Sequence, residues 1–422
     1  MIIAAHLHSV QSMRLDIPYG KEGHQSLLVP DERLQQVIRP NEVESGDDLQ
    51  AIRDGLDHAI GQSLEDFFKG EVLVIVNDGT RPTPTPKVLQ ALAERVDLGH
   101  AKFLIATGAH RAPTEDELEL IFGERLHHLR KNIRVHDARG SKTVSLGTSK
   151  NGTRILVNEL VAKHERIMVI TSVEPHYFAG YTGGRKSILP GVCAFSTIEQ
   201  NHRLAMRPQA GLLALDGNPV HEDMMDCLGH LSSKEMFGIQ VVLDRNHRIH
   251  RVACGDLRAS FRKAVEDANR VFVVPIEKRA GIVVSIASYP MDVDLYQSQK
   301  AIENAKGALE AGGTLIFVSK CRQGIGDRRF YEVLSSSSDK EQVLRGIEAE
   351  YRLGDHKAAK ILEISKRSRI CGVTSLDPEA LLRIDIRPFE SAQAALDDSL
   401  ARDPGASVIV IYEGSVVVPK VI

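Results

Sequence analysis

The chain has 422 residues, too many for one ordinary hydrophobic core, and its 42% hydrophobic and 26% charged residues exclude a largely disordered chain. A net charge of -3, from 53 basic and 56 acidic residues, gives no electrostatic footprint for nucleic acid or an anionic membrane. No stretch approaches the roughly 18 uncharged apolar residues of a membrane span.

Met1 to Gln11 lacks a basic segment followed by a long apolar one, so a cytoplasmic protein with a small-molecule ligand is expected. Further along, Glu71 to Asn77 (EVLVIVN) is the first of several short β-rich runs, each followed by turn residues and a helical pattern. Ala101 to Thr107, Arg166 to Ser172, Gly281 to Ala287 and Gly313 to Ser319 continue the series. Apolar runs alternating with helices indicate parallel strands buried on both faces. The predicted class is α/β, with two domains, each a mainly parallel sheet flanked by helices, and an active site in the cleft between them. The helical stretch from Leu257 gives way near residues 269 to 278, which predicts domains over 1–275 and 276–402, with 403–422 rejoining the first. Residues 334 to 367 are charged and helix-patterned, which reads as a solvated face.

In sheets of this kind ligands bind beyond the carboxyl ends of the strands. After the first run comes Asp78-Gly-Thr-Arg-Pro, with prolines that stop the strand and a helix that can start near Lys87. Its backbone N–H groups, hydroxyl and guanidinium suit a phosphate or carboxylate, although an Asp-Gly turn with a solvated Arg accounts for it as well. After the second run comes Gly108-Ala-His110-Arg-Ala-Pro-Thr114, where Thr114 and Glu117 form a capping-box pattern.

The third run leads into Val173-Glu-Pro-His176-Tyr-Phe-Ala-Gly-Tyr-Thr-Gly183-Gly184-Arg-Lys186-Ser. This is not a phosphate-binding P-loop, because Arg185 stands where that motif needs Gly. A lysine on such an irregular backbone is either a solvated loop residue or, if desolvated, a covalent attachment point. His110 and His176 each lie just past a strand of one sheet and so can face one cleft, where two imidazoles on opposite substrate faces would serve inversion at a carbon. Either is equally readable as a structural histidine.

His202, on a predicted helix, is a lone candidate metal ligand, and no HExxH motif occurs, since Met225 follows His221-Glu222 at the required place. Asp216 to Asp223 reads as a turn into a helix. Gln297 and Lys300, three apart after the first strand of the second domain, would share a helix face. The five cysteines, Cys193, Cys227, Cys254, Cys321 and Cys371, are odd in number and form no CxxC pair, which predicts reduced core residues.

Taken in order, DGTRPTP, TGAHRAPTEDE, EPHYFAGYTGGRKSILPG, the Asn201-His202 helix, DLYQSQK and CRQGIGDRRFYE resemble the nickel-pincer-nucleotide-dependent lactate racemase family along nearly the whole chain. The resemblance implies a pyridinium mononucleotide with two sulfur-bearing arms, joined to Lys186 through a thioamide and holding nickel by one carbon and two sulfurs. His202 matches the fourth nickel ligand, and His110 and His176 match the acid–base pair. Asp78, Thr80, Gly183 and Gly184 are the implied cofactor contacts, and Arg81, Gln297, Lys300 and Tyr296 the implied substrate contacts. Proteins that mature the cofactor are implied partners.

The implied reaction is racemisation or epimerisation of a 2-hydroxy acid by proton-coupled hydride transfer. A hydrogen beside a carboxylate leaves more easily as hydride than as a proton, because the carboxylate resists a second negative charge. The chain departs from the family in having no Trp, whereas the lactate racemases carry one in the second domain; Gly354-Asp-His356-Lys-Ala358 stands there instead. His356 would suit a larger or more oxygenated substrate, malate or an aldonate. A non-catalytic nucleotide-binding protein on the same fold is the rival of another class, and a nicotinamide dehydrogenase is disfavoured because no GxGxxG follows a strand.

Overall fold

A computed structural model describes residues 11–422. The reading of the first ten residues as lacking a leader lies outside the described part. Two compact units are present: Asn41–Phe272, and a second made of residues 11–40 with Val273–Ile422.

The Asn41–Phe272 unit is built on a six-stranded sheet in the order Ile249–Asp256, Glu235–Leu243, Arg166–Ser172, Val72–Asn77, Lys102–Ala106, Ile133–Val135. All neighbours are parallel except the antiparallel edge strand Ile249–Asp256. Val72–Asn77 and Arg166–Ser172 are apolar, largely β-branched and buried on both faces, as central parallel strands must be. Helices Asp48–Asp57 and Thr85–Ala93 cover one face through Ile52, Leu56, Val88, Leu89 and Leu92. Phe67 against Phe237 and Phe103 against Phe122 fill the same core with ring centroids 5.2 and 5.6 Å apart. The expected capping box opens helix Glu115–Phe122, with both Thr114 and Glu117 bonds formed.

From Val72–Asn77 the chain adds two strands on one side, then crosses to Arg166–Ser172 on the other. The strand order therefore reverses between these two strands, and their carboxyl ends frame the crevice where doubly wound sheets bind ligands.

The second unit holds a six-stranded sheet, all parallel, in the order Ile386–Pro388, Arg369–Val373, Leu309–Val318, Ala280–Ile286, Val408–Ile411, Leu34–Ile38. Two expectations about the domains change here. Residues 403–422 do not rejoin the first unit, because Val408–Ile411 is an interior strand of this sheet and Val418–Val421 pairs with Val273–Ile276. Residues 11–40 also belong here, since Leu34–Ile38 supplies the edge strand beside Val408–Ile411.

The charged stretch 334 to 367 divides: helix Lys340–Ala349 buries only Val343 and Ile347 and presents the expected solvated face, whereas the helix after it does not. Helix Asp355–Ser365 is buried along most of its length, including Asp355, His356, Lys357 and Lys360. Its polar groups have partners: Arg329 grips Asp355 through two bonds of 2.8 and 2.9 Å, and Lys357 Nζ donates to the backbone carbonyl of Tyr296 at 2.8 Å. Composition alone hides this, because a paired buried charge has the same sequence signature as a solvated one. All five cysteines are free and buried. Among the described residues no helix is long and apolar enough to cross a membrane.

Candidate active site

The Asp78 loop is anchored across the switch point. Asn77 donates its side-chain amide to Thr83 Oγ1 at 2.7 Å and to Thr171 Oγ1 at 3.1 Å, and Thr83 donates to Ser172 Oγ at 3.0 Å. None of these four residues was singled out in the sequence, where they read only as strand ends and a Pro-rich turn. Asp78 itself is 6% exposed. Its Oδ1 accepts from Thr80 N–H at 3.2 Å and Thr80 Oγ1 at 2.6 Å, and its Oδ2 lies 2.7 Å from His110 Nδ1.

Burial works to raise the Asp78 carboxyl, but the hydrogen bond and charge of His110, with Thr80 and Arg81, outweigh it and hold it below the usual carboxylate range. An ionised carboxylate only accepts, so His110 Nδ1 carries a proton and, in the neutral ring, Nε2 presents a lone pair. The His110 side chain is 48% exposed.

His176 has the opposite arrangement. The backbone N–H of Ala179 donates to its Nδ1 at 3.3 Å, which makes Nδ1 the acceptor and puts the proton of the neutral ring on Nε2. The two histidines thus occupy complementary tautomers, one ring with an accepting Nε2 and the other with a donating one.

Phe178 is the point on which the remaining candidates converge. Its ring centroid lies 4.5 Å from that of His176, 5.1 Å from that of His202 and 5.5 Å from Lys186 Nζ. His202 is on helix Phe195–Arg203, held in place by its buried neighbour Asn201, which donates to Asp223 Oδ2 at 2.9 Å and Val220 O at 3.3 Å. The Lys186 turn is tied to the His110 loop through Gly191, whose N–H donates to Lys186 O at 3.0 Å and whose carbonyl accepts from Gly108 N–H at 2.9 Å.

Gly183 and Gly184 have φ of 83° and 50°, and a Cβ at either would meet Val173 Cγ2 at 2.5 Å or the Phe261 ring at 2.9 Å. Their lack of a side chain is therefore required by protein packing, and Gly184 N–H is bonded to Gln240 Oε1 at 3.0 Å.

Gln297, Lys300 and Tyr296 belong to the second unit, past the end of strand Ala280–Ile286. Gln297 and Lys300 fall on two consecutive short helices, Leu295–Ser298, capped by Asp294 through Gln297 N–H, and Lys300–Ala305, with Gln299 between them in the right-handed helical region. Tyr296 stacks under Lys357 Nζ at 3.3 Å and packs on Phe330. His356 Nδ1 lies 2.8 Å from Tyr351 OH.

Among the described residues no three His, Cys, Asp or Glu side chains converge on a metal position. The nitrogen donors around Phe178 are two imidazoles, His176 and His202, and the Lys186 amine, so a metal held there by His202 would have to bring further donors on an organic group. That is the chemistry of a chelating nucleotide tethered to a lysine, and soft donors with one imidazole suit nickel.

Two family models match the chain, the lactate racemase N-terminal domain over residues 19–212 and the lactate racemase C-terminal domain over residues 276–418. A lactate racemase of Thermoanaerobacterium thermosaccharolyticum is 31% identical over 366 residues, which cover 82% of this chain and 84% of that protein. One from Lactiplantibacillus plantarum is 29% identical over 386 residues, 88% of this chain and 91% of the other. The solved lactate racemase apoprotein from Thermoanaerobacterium thermosaccharolyticum has a TM-score of 0.89 at 28% identity, covering 97% of this chain and all of that one.

Proposed function

This chain belongs to the lactate racemase family and is an isomerase, and we propose that it interconverts the two C2 configurations of a 2-hydroxy acid with a nickel-bearing pyridinium nucleotide attached to Lys186. The observation that carries the reading is the convergence of His176, His202 and Lys186 on Phe178, beside a loop tied to that of His110. When bound, such a group supplies a reversible acceptor for the hydrogen at C2.

The residues of the chain supply the protons. His110 Nε2, with its lone pair available, takes the hydroxyl proton of one enantiomer, and the charge that develops on the ring is stabilised by ionised Asp78. His176 faces the oxygen through Nε2 and returns a proton to it as the opposite configuration forms, for which the ring must first be charged as the imidazolium, since a neutral ring that gave up its only proton would be left an imidazolate. In the reverse direction the roles exchange. Arg81 is proposed to hold the substrate carboxylate, for which a planar fork is the matching donor. Asp78, Thr80, Gly183 and Gly184 as nucleotide contacts, and Gln297, Lys300 and Tyr296 as substrate contacts, rest on the family resemblance. Maturation proteins would load the group.

A second reading concerns the substrate. The chain has no Trp, and its helix at Asp355–Ser365 instead buries His356, bonded to Tyr351, with Lys357 and Lys360. By the resemblance, His356 stands where the lactate racemases have the Trp of their pocket, and a polar residue there would favour malate or an aldonate over lactate, because a polar group desolvated beside an apolar methyl would lose hydrogen bonds. The test is to incubate loaded protein with single enantiomers of lactate, malate and an aldonate and to follow them by chiral separation. Inversion of at least one is expected; protein that carries the adduct and inverts none would sink the proposal.

A further inference from the structure

Arg185 is the largest fully buried side chain among the described residues, at 1% exposure. Every acceptor it uses is neutral. Nε donates to His221 Nδ1 at 3.0 Å, Nη1 to Thr182 O at 3.2 Å and Gly183 O at 3.1 Å, and Nη2 to Ala179 O at 2.6 Å. Its flat face lies 4.3 Å from the Phe261 ring centroid.

Burial pushes the guanidinium down to about 9, so it remains charged at neutral pH. His221 is pushed down to about 3 by its own burial and then by Arg185 and Arg262, so it stays neutral and keeps Nδ1 free to accept. An apolar side chain of similar length would fill this space without the cost of desolvating a cation. The carbonyls that Arg185 collects give the reason for its presence. All three belong to the turn between His176 and Lys186, and one of them is on Ala179, the residue whose N–H donates to His176 Nδ1.

We propose that Arg185 is a positioning residue for His176: by gripping Ala179 O it fixes the Ala179 N–H that meets His176 Nδ1 and so sets the orientation of the ring, with His221 serving as the neutral support of the guanidinium. The inference rests on the acid–base role assigned to His176 above. It adds a cause for that histidine's orientation, which an adjacent carboxylate supplies for His110.

The test uses protein with ¹⁵N-labelled histidine rings, without and with the nucleotide, the His176 signals being assigned by comparison with His176→Gln. In the unloaded wild type, His176 Nδ1 should show the shift of an unprotonated ring nitrogen and Nε2 that of a protonated one. Arg185→Lys keeps the charge but cannot hold three carbonyls and a ring nitrogen at once. It should give a mixture of His176 tautomers, and in loaded enzyme kcat should fall by about tenfold to a hundredfold with KM changed less than about twofold, as for a displaced reacting group.

A cooperatively melting Arg185→Lys protein with the wild-type His176 spectrum would overturn the proposal. Should that variant not fold, His221 gives a second route: His221→Leu removes the acceptor and should disturb the His176 signals, while His221→Gln restores an acceptor and should return them. A wild-type spectrum in His221→Leu overturns it equally. Wild-type enzyme that carries no Lys186 adduct would instead undo the functional reading, and the spectra of unloaded protein would still decide the role of Arg185.

Discussion

His110 Nδ1 stands 2.7 Å from Asp78 Oδ2, and that carboxylate is buried at a strand end with its other oxygen taken by Thr80. The pair fixes which nitrogen of the exposed ring is left to meet a substrate. Asp78→Asn keeps the shape but offers no charge to stabilise the imidazolium and permits the wrong tautomer. Racemisation should fall by about a thousandfold or more. Loss of less than about threefold, in steady-state rates with the Lys186 adduct intact by mass, would remove Asp78 from the mechanism.

His110 and His176 are proposed to serve opposite faces of the substrate. Losing either should abolish net racemisation in both directions, with a penalty of at least roughly 10²- to 10⁴-fold. In single turnover with C2-deuterated enantiomers, His110→Ala and His176→Ala should each spare oxidation of a different enantiomer. The label should return to C2. Rapid exchange of deuterium with water would indicate direct proton abstraction and end the hydride reading.

For Lys186, intact-mass spectrometry of protein from cells that assemble the nucleotide should show one adduct, absent from Lys186→Ala. Lys186 lies in a turn held by its own backbone bonds to Gly183 and Gly191. The substitution should therefore leave the thermal midpoint of unloaded protein nearly unchanged. An unmodified wild-type chain would refute the tether.

Nickel should accompany the adduct at about one per chain, since among the described residues no three candidate ligand side chains converge to hold it without the nucleotide. His202→Ala should keep the adduct and lose metal on dialysis. Equal nickel in the variant, by elemental analysis, would show that His202 is not a ligand.

His221 carries a pH signature. Its folded value, pushed down from 6.5 to about 3, lies below the unfolded one, so the unfolded chain binds the extra proton between these limits. Stability from this group is complete above pH 6.5 and is lost as pH falls toward 3, by at most about 1.4 kcal/mol per pH unit. The urea midpoint of the wild type should decline across that window more steeply than that of His221→Gln. Parallel curves would contradict the assignment.

Much of the fold was legible in the sequence because parallel strands buried on both faces must be continuous apolar runs: Arg166–Ser172 appears with the expected bounds, and Val72–Asn77 and Lys102–Ala106 within a residue or so of theirs. Gly, Pro and His past those strand ends drew attention to the candidate site, although Gly183 and Gly184 proved to be demanded by packing against Val173 and Phe261. Which sheet a strand joins was not legible. Leu34–Ile38 and Val408–Ile411 pair across almost the whole chain, and local pattern carries no information about partners so distant.

Residue types and spacing by themselves determined the α/β class and the resemblance to a racemase family, and through it named His110, His176, Lys186 and His202 as candidates. Only the tertiary structure decided that Phe178 gathers three of them, that His110 and His176 hold opposite tautomers, and that Arg185 is a buried cation rather than a loop residue. The reason is physical: a side chain's protonation and orientation depend on hydrogen-bond partners and burial, and those are set by segments brought together in folding, such as Ala179 with His176 or His221 with Arg185.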